Sequence, residues 1–97
     1  MKVALFAAVL VAFSGLASAA EPAAAKACMA CHQVDKKVFG PMFKDVANKY
    51  KGDAKAEEHI VSVINNGSKG VWGTFAMPKQ DIKPDDAKAI AKWIMSL

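Results

Sequence analysis

The chain holds two cysteines, three residues apart, with a histidine directly behind the second: Cys28-Met29-Ala30-Cys31-His32. Residues three and four apart share a helix face, so two thiols and an imidazole in this order can project together. C-x-x-C-H is the attachment signature of c-type haem: both thiols become thioethers on the porphyrin vinyl groups, and the histidine, a good iron ligand when neutral, reaches the metal. Three other readings compete. A thioredoxin-like redox disulfide would lie beside a βαβ pattern, and the sequence offers none. A zinc site needs further Cys or His ligands, and only His59 remains. Chance accounts poorly for uncommon residue types in this order, just after an export signal. One haem c, bound through Cys28 and Cys31 with His32 on its iron, is the expected cofactor.

Past the first twenty residues, a second axial ligand must come from Met29, Met42, Met77, Met95 or His59. Met29 lies inside the attachment motif and is too constrained to reach the opposite haem face. Met42 and Met95 fall in helical patterns and read as core methionines that fill irregular gaps. His59 stands beside Glu57 and Glu58 and reads as a solvated surface residue. Met77 lies in a long loop beside Pro78, which restricts the backbone around it. Met77 is favoured as the metal ligand opposite His32, with His59 the alternative. Soft thioether sulfur stabilises ferrous iron and raises the reduction potential. Two filled axial positions leave no place for a substrate, so the expected role is one-electron transfer and not enzymatic turnover.

The elements that must position these groups can be read along the chain. Lys2, the apolar run 3–13 and the small residues Ala17-Ser18-Ala19-Ala20 make a secretory signal peptide, with cleavage fitting equally after Ala19 or Ala20. A permanent membrane anchor is disfavoured, because a span needs roughly 20 apolar residues and this run breaks at Ser14-Gly15. Residues 21–97 then form one domain, small enough to need a staple such as a cofactor. No strand pattern is present, and helical spacing recurs four times. The first segment opens at Pro22 with Ala24, Ala27, Cys28 and Cys31 on one stripe; the second opens at Pro41 with Phe43, Val46, Ala47 and Tyr50 and stops at Gly52. The third has Asp53 as a candidate N-cap, Ile60, Val63 and Ile64 as its apolar side, and Gly67 as its end. The fourth begins at Pro84 with Asp85 and Asp86, and carries Ala87, Ile90, Ala91 and Ile94, with Trp93 and Leu97 alongside. The fold class is all-α. Between the third and fourth helices lies a long glycine-rich loop, and loops of such length in small domains are usually functional.

With the haem motif, Gly40-Pro41, Gly67-Ser68-x-Gly70-Val71-Trp72-Gly73 and Met77-Pro78 in order, the chain from about Ala27 to its end resembles the short bacterial class I monohaem cytochromes c. The resemblance implies about four helices wrapped around one covalently bound haem. It implies that Pro41 offers its carbonyl to the free ring nitrogen of His32, that Trp72 donates its indole N–H to a haem propionate, and that Phe43, Val46, Ile60 and Ile64 line the pocket. For Phe43 and the aliphatics, that role hardly differs from plain core packing, and Trp93 reads as core. The chain departs from the pattern at Ala23-Ala24-Ala25, where relatives often carry a bulky residue, at Val63, where many carry a base, and at Lys79-Gln80, where a second proline and an asparagine are common.

The resemblance further implies a periplasmic carrier in a respiratory chain, with cytochrome cd nitrite reductase, a terminal oxidase or a quinol-oxidising complex as redox partners, and a monomer is the default for so small a shuttle. Composition disfavours a nucleic-acid role: there is no arginine, the lysines are scattered, and loss of Lys2 brings the formal charge from +4 to +3. Lysines around an exposed site remain able to steer an acidic protein. A haem-based sensor would need a five-coordinate iron and an output domain. A haem peroxidase would need acid–base residues beyond His59.

Overall fold

The computed structural model describes residues 20–97, and the expected leader lies outside them except for Ala20. Among these residues four helices follow one another: an N-terminal 3₁₀ helix (Ala23–Ala30), α1 (Phe43–Lys49), α2 (Ala56–Asn66) and α3 (Pro84–Met95). The one extended pairing among the described residues is a single antiparallel bridge between Ser68 and Met77. The fold is all-α. No helix among the described residues is long and apolar enough to cross a membrane.

α3 is the scaffold, since it packs against α2, α1 and the N-terminal helix. Its apolar stripe of Ala87, Ile90, Ala91 and Ile94, joined by Trp93, is buried throughout. Pro84 sits in its first turn, where a missing N–H costs nothing, with Asp85 and Asp86 behind it at the positive end of the dipole. Small residues let neighbours approach: Ala87 and Ala91 are fully buried, as is Ala25 of the N-terminal helix that packs on α3. The three alanines 23–25 supply a contact with α3 through Ala25.

The N-terminal helix differs from the expected α-helical stripe. A 3₁₀ helix repeats every three residues, so positions i and i+3 eclipse, and the buried pair is Ala25 and Cys28. Ala27 and Cys31 are exposed instead. α1 starts two residues after Pro41, and its opening amides are satisfied from outside: Phe43 N–H donates to Gln33 O at 2.8 Å and Lys44 N–H to Val34 O at 3.0 Å. Asp53 does not cap α2. Its Oδ1 accepts the Lys55 N–H at 2.8 Å in a tight turn before the helix. Gly67, with φ of +80°, ends α2 in a positive-φ conformation open to a residue without a Cβ.

At the rim, Tyr50 after α1 meets His59 on α2: the phenol oxygen lies 3.0 Å from Nε2, and the rings are 4.8 Å apart. Burial, and then the nearby Asp53 carboxylate, push the Tyr50 phenol above its ordinary pKa.

Two outcomes follow from this packing. Ile90, the largest fully buried side chain, should cost about 2–5 kcal/mol when cut to alanine, read as a lower denaturant midpoint. Tyr50 is the chain's single tyrosine, so its phenolate absorbance reports one group, which should ionise above the ordinary value of about 10. The protonated phenol favours the fold, so its contribution is whole below that value and is lost as pH rises through the folded pKa. In Tyr50→Phe, that alkaline fall in stability should disappear.

Candidate haem-attachment site

Cys28 ends the buried line of the N-terminal helix at 8% exposure, and Cys31 is the exposed residue that closes the helix. The turn that follows is tight: Cys31 N–H and His32 N–H both donate to Cys28 O, at 3.1 and 2.9 Å. Both thiols are free. Burial pushes the Cys28 thiol above its ordinary pKa, which keeps it protonated and disfavours disulfide exchange, a reaction that needs thiolate.

His32 is held from several directions. Its Nδ1 lies 2.8 Å from Pro41 O. A carbonyl can only accept, so Nδ1 carries the proton and Nε2 is left as the ring's lone-pair donor to a metal. The Phe43 ring stacks on the imidazole at 4.8 Å between centroids and 19° between planes. Gly40 lies against the imidazole as well: a Cβ there would collide with the ring, reaching Nδ1 at 2.7 Å and Nε2 at 2.9 Å. Gly40 N–H also donates to Cys31 O at 2.7 Å, which folds the loop 33–40 back onto the motif. The contact of Gly40 with His32 has no signature in composition or periodicity; the glycine–proline pair after a C-x-x-C-H run is the only mark it leaves.

Met77 is positioned by backbone. Its N–H donates to Ser68 O at 2.9 Å and its carbonyl accepts the Ser68 N–H at 3.0 Å. Gly67 permits the approach, because a Cβ there would come within 2.6 Å of Met77 O. One residue past Lys79, Gln80 N–H donates to Ile64 O at 2.8 Å, and its side-chain amide donates to Pro78 O at 2.9 Å. The Met77 side chain is half-buried and packs on the core.

Cys28, Phe43, Val46, Ile60 and Ile64 share one buried cluster, against which Met77 packs. Phe43 joins that cluster to α3 through an edge-on contact with Trp93 at 5.5 Å. Trp72 stands apart from it: it is 40% exposed, and the Lys49 ammonium sits 5.4 Å from its ring centroid. His59 is exposed and faces Tyr50. Met42 precedes α1, Met95 is the last residue of α3, and Met29 lies in the N-terminal helix. Val63, half-buried on α2, brings no charge.

The donor set fits a c-type haem. Two unpaired thiols and an imidazole of fixed tautomer lie in one short turn, and Met77, held by its backbone, packs its side chain against the same apolar cluster. Among the described residues, no three His, Cys, Asp or Glu side chains gather as a metal cage. No charged or polar side chain is buried among them either, so the core beside these groups is apolar.

The family model described as cytochrome c matches residues 17–97. Over 73 residues the chain is 51% identical to cytochrome c-551 of Pseudomonas denitrificans, covering 75% of this chain and 89% of that protein. Over 72 residues it is 43% identical to cytochrome c-552 of Hydrogenobacter thermophilus, covering 74% of each. The solved structure of wild-type Nitrosomonas europaea cytochrome c552 matches with a TM-score of 0.74 at 46% identity, over 75% of this chain and 94% of that one. The chain belongs to the cytochrome c family, whose members carry one covalently attached haem c, and its relatives are the small bacterial class I cytochromes c-551 and c-552.

Proposed function

We propose that this chain is an exported, monomeric carrier of single electrons, its haem held by Cys28 and Cys31 and its iron ligated by His32 and Met77. Electron transfer is what the small cytochromes of this family do; the ligand pair, the periplasmic location and the cleavage after Ala19 or Ala20 are our reading. The observation that carries it is the hydrogen bond from His32 Nδ1 to Pro41 O, which leaves Nε2 as the free donor one residue after the second cysteine. When bound, the haem supplies the redox centre, an iron that gains or loses one electron.

The chain's own residues do the rest. Pro41 and Phe43 hold the imidazole in one setting, and the Ser68–Met77 bridge holds the methionine strand. Ligands held near one position keep the site nearly unchanged between oxidation states, which favours fast transfer. The thioether of Met77 favours the ferrous state and raises the potential. Val46, Ile60 and Ile64 exclude water from the apolar side. Trp72, on the exposed loop, has one donor, its indole N–H, suited to a propionate.

Partners are redox proteins, among them a cytochrome cd nitrite reductase, a terminal oxidase or a quinol-oxidising complex. Among the described residues, the large exposed apolar side chains are Val38 and Phe39 in one loop and Val71, Trp72 and Phe75 in the other, with Phe39 at 71% and Phe75 at 80% exposure. Lys36, Lys37, Lys69 and Lys79 stand in or beside the same loops. Apolar contact with lysine steering suits a brief encounter with an acidic protein.

The ligand reading is tested on the purified mature protein. A weak far-red ferric band of the methionine–iron type should be present in the parent and absent in Met77→Ala. That variant should bind carbon monoxide and fall in potential by on the order of 0.1–0.3 V, within the roughly 0.8 V that axial ligation commands. An unchanged spectrum and potential would sink Met77 and return the search to His59. Replacing Cys28 or Cys31 by alanine should sharply reduce the haem that stays bound after acidic organic extraction; full retention in both variants would overturn covalent attachment through these thiols.

A further inference from the structure

Lys49 stands in the last turn of α1, where a cation is favoured by the helix dipole. Its ammonium lies 5.4 Å from the Trp72 ring centroid and 6.0 Å from that of Tyr50. Both distances fall within reach of a cation–π attraction. Among the described residues Lys49 makes no ion pair, so its charge is directed at aromatic rings and not neutralised by a carboxylate.

The place of this contact gives it meaning. Trp72 sits midway along the loop that the Ser68–Met77 bridge closes. That loop is exposed from Lys69 through Ala76, and Gly70 and Gly73 have positive φ and meet nothing within 4 Å, so neither packs it down. The Lys49 contact ties its middle to a helix. On the other side of Lys49, Tyr50 is joined to α2 through His59.

We propose that Lys49 is a positioning residue of the redox site: its ammonium, seated over Trp72, pins the loop 68–77 to the end of α1 and holds a positive charge beside that loop. The second half of this assignment rests on the proposed haem site. A fixed positive charge near a redox centre favours the electron-rich ferrous form and raises the potential, while the pin slows the opening of the bridge that carries Met77.

The test uses the haem-loaded mature protein with Lys49→Met, Lys49→Arg, Trp72→Leu and the double variant Lys49→Met with Trp72→Leu. Lys49 is exposed, so its variants fold. In Lys49→Met, hydrogen exchange at the Ser68 and Met77 amides should speed up about 2- to 5-fold, the factor of an exposed cation–π contact. Exchange at the Ile90 amide, in the core, should not change. The reduction equilibrium against a mediator dye should move toward the ferric form. Lys49→Arg, which keeps the cation, should restore both readouts. Adding Lys49→Met to Trp72→Leu should give no further acceleration, because the partner ring is gone.

Parent-like exchange and potential in Lys49→Met would overturn the proposal, as would an undiminished effect of Lys49→Met in the Trp72→Leu background. Equal acceleration at Ile90 would reduce Lys49 to general stability and overturn it too. The haem-ligand reading fails separately, on a missing far-red methionine band, and the exchange comparison still decides the pin.

Discussion

The bond between the His32 imidazole and the Pro41 carbonyl sets the conditions for everything around it. To make it, the chain must turn back within nine residues. The turn is possible because Gly40 has no side chain to strike the ring, and because Gly40 N–H closes onto Cys31 O. Once closed, the turn presents the carbonyls of Gln33 and Val34 to the first amides of α1, which starts there with no side-chain cap. α1 in turn delivers Phe43 onto the imidazole and, edge-on, to Trp93 of α3. One side chain's tautomer and the start of a helix therefore depend on the same few residues.

The two proposed iron ligands are fixed by different means. His32 is fixed through its side chain, by a hydrogen bond and a stacked ring. Met77 is fixed through its backbone, by both groups of one β-bridge, which leaves its flexible thioether side chain to settle against the core. Backbone hydrogen bonds rank among the stiffer local restraints a loop can have, and a two-sided bridge next to a glycine-ended helix supplies them without a sheet. For a centre proposed to pass single electrons, this stiffness matters more than any reactive group. The absence of buried charge among the described residues accords with it, since no ionised group has to reorient when the charge on the iron changes.

Stability and function draw on the same small core. Cys28, Phe43, Val46, Ile60 and Ile64 lie in one cluster with the α3 stripe, so the residues proposed to face the cofactor are also those that hold the helices. A domain this small has little core to spare, and attachment of a cofactor beside that cluster adds apolar contact that the chain alone cannot supply. The exposed phenylalanines 39 and 75 stay out of that core, on the surface proposed to meet partners.

Local chemistry was legible in the residues themselves. The order Cys28-x-x-Cys31-His32 carries the proposed attachment, proline and glycine punctuate the helices, and the buried stripe of α3 is the one its 3.6-residue spacing predicts. Three features depended on tertiary structure. The N-terminal helix is wound as 3₁₀, which moves burial to Ala25 and Cys28; periodicity within eight mostly small residues cannot separate 3.0 from 3.6. Asp53 serves a turn and not a cap, because the chain reaches α2 three residues later. Gly40 under His32, Ser68 against Met77 and Lys49 over Trp72 pair residues that are eight, nine and twenty-three positions apart. Sequence determines which groups exist and which local turns they favour. Which of them meet is decided by how α3 gathers the other helices, and no spacing along the chain carries that information.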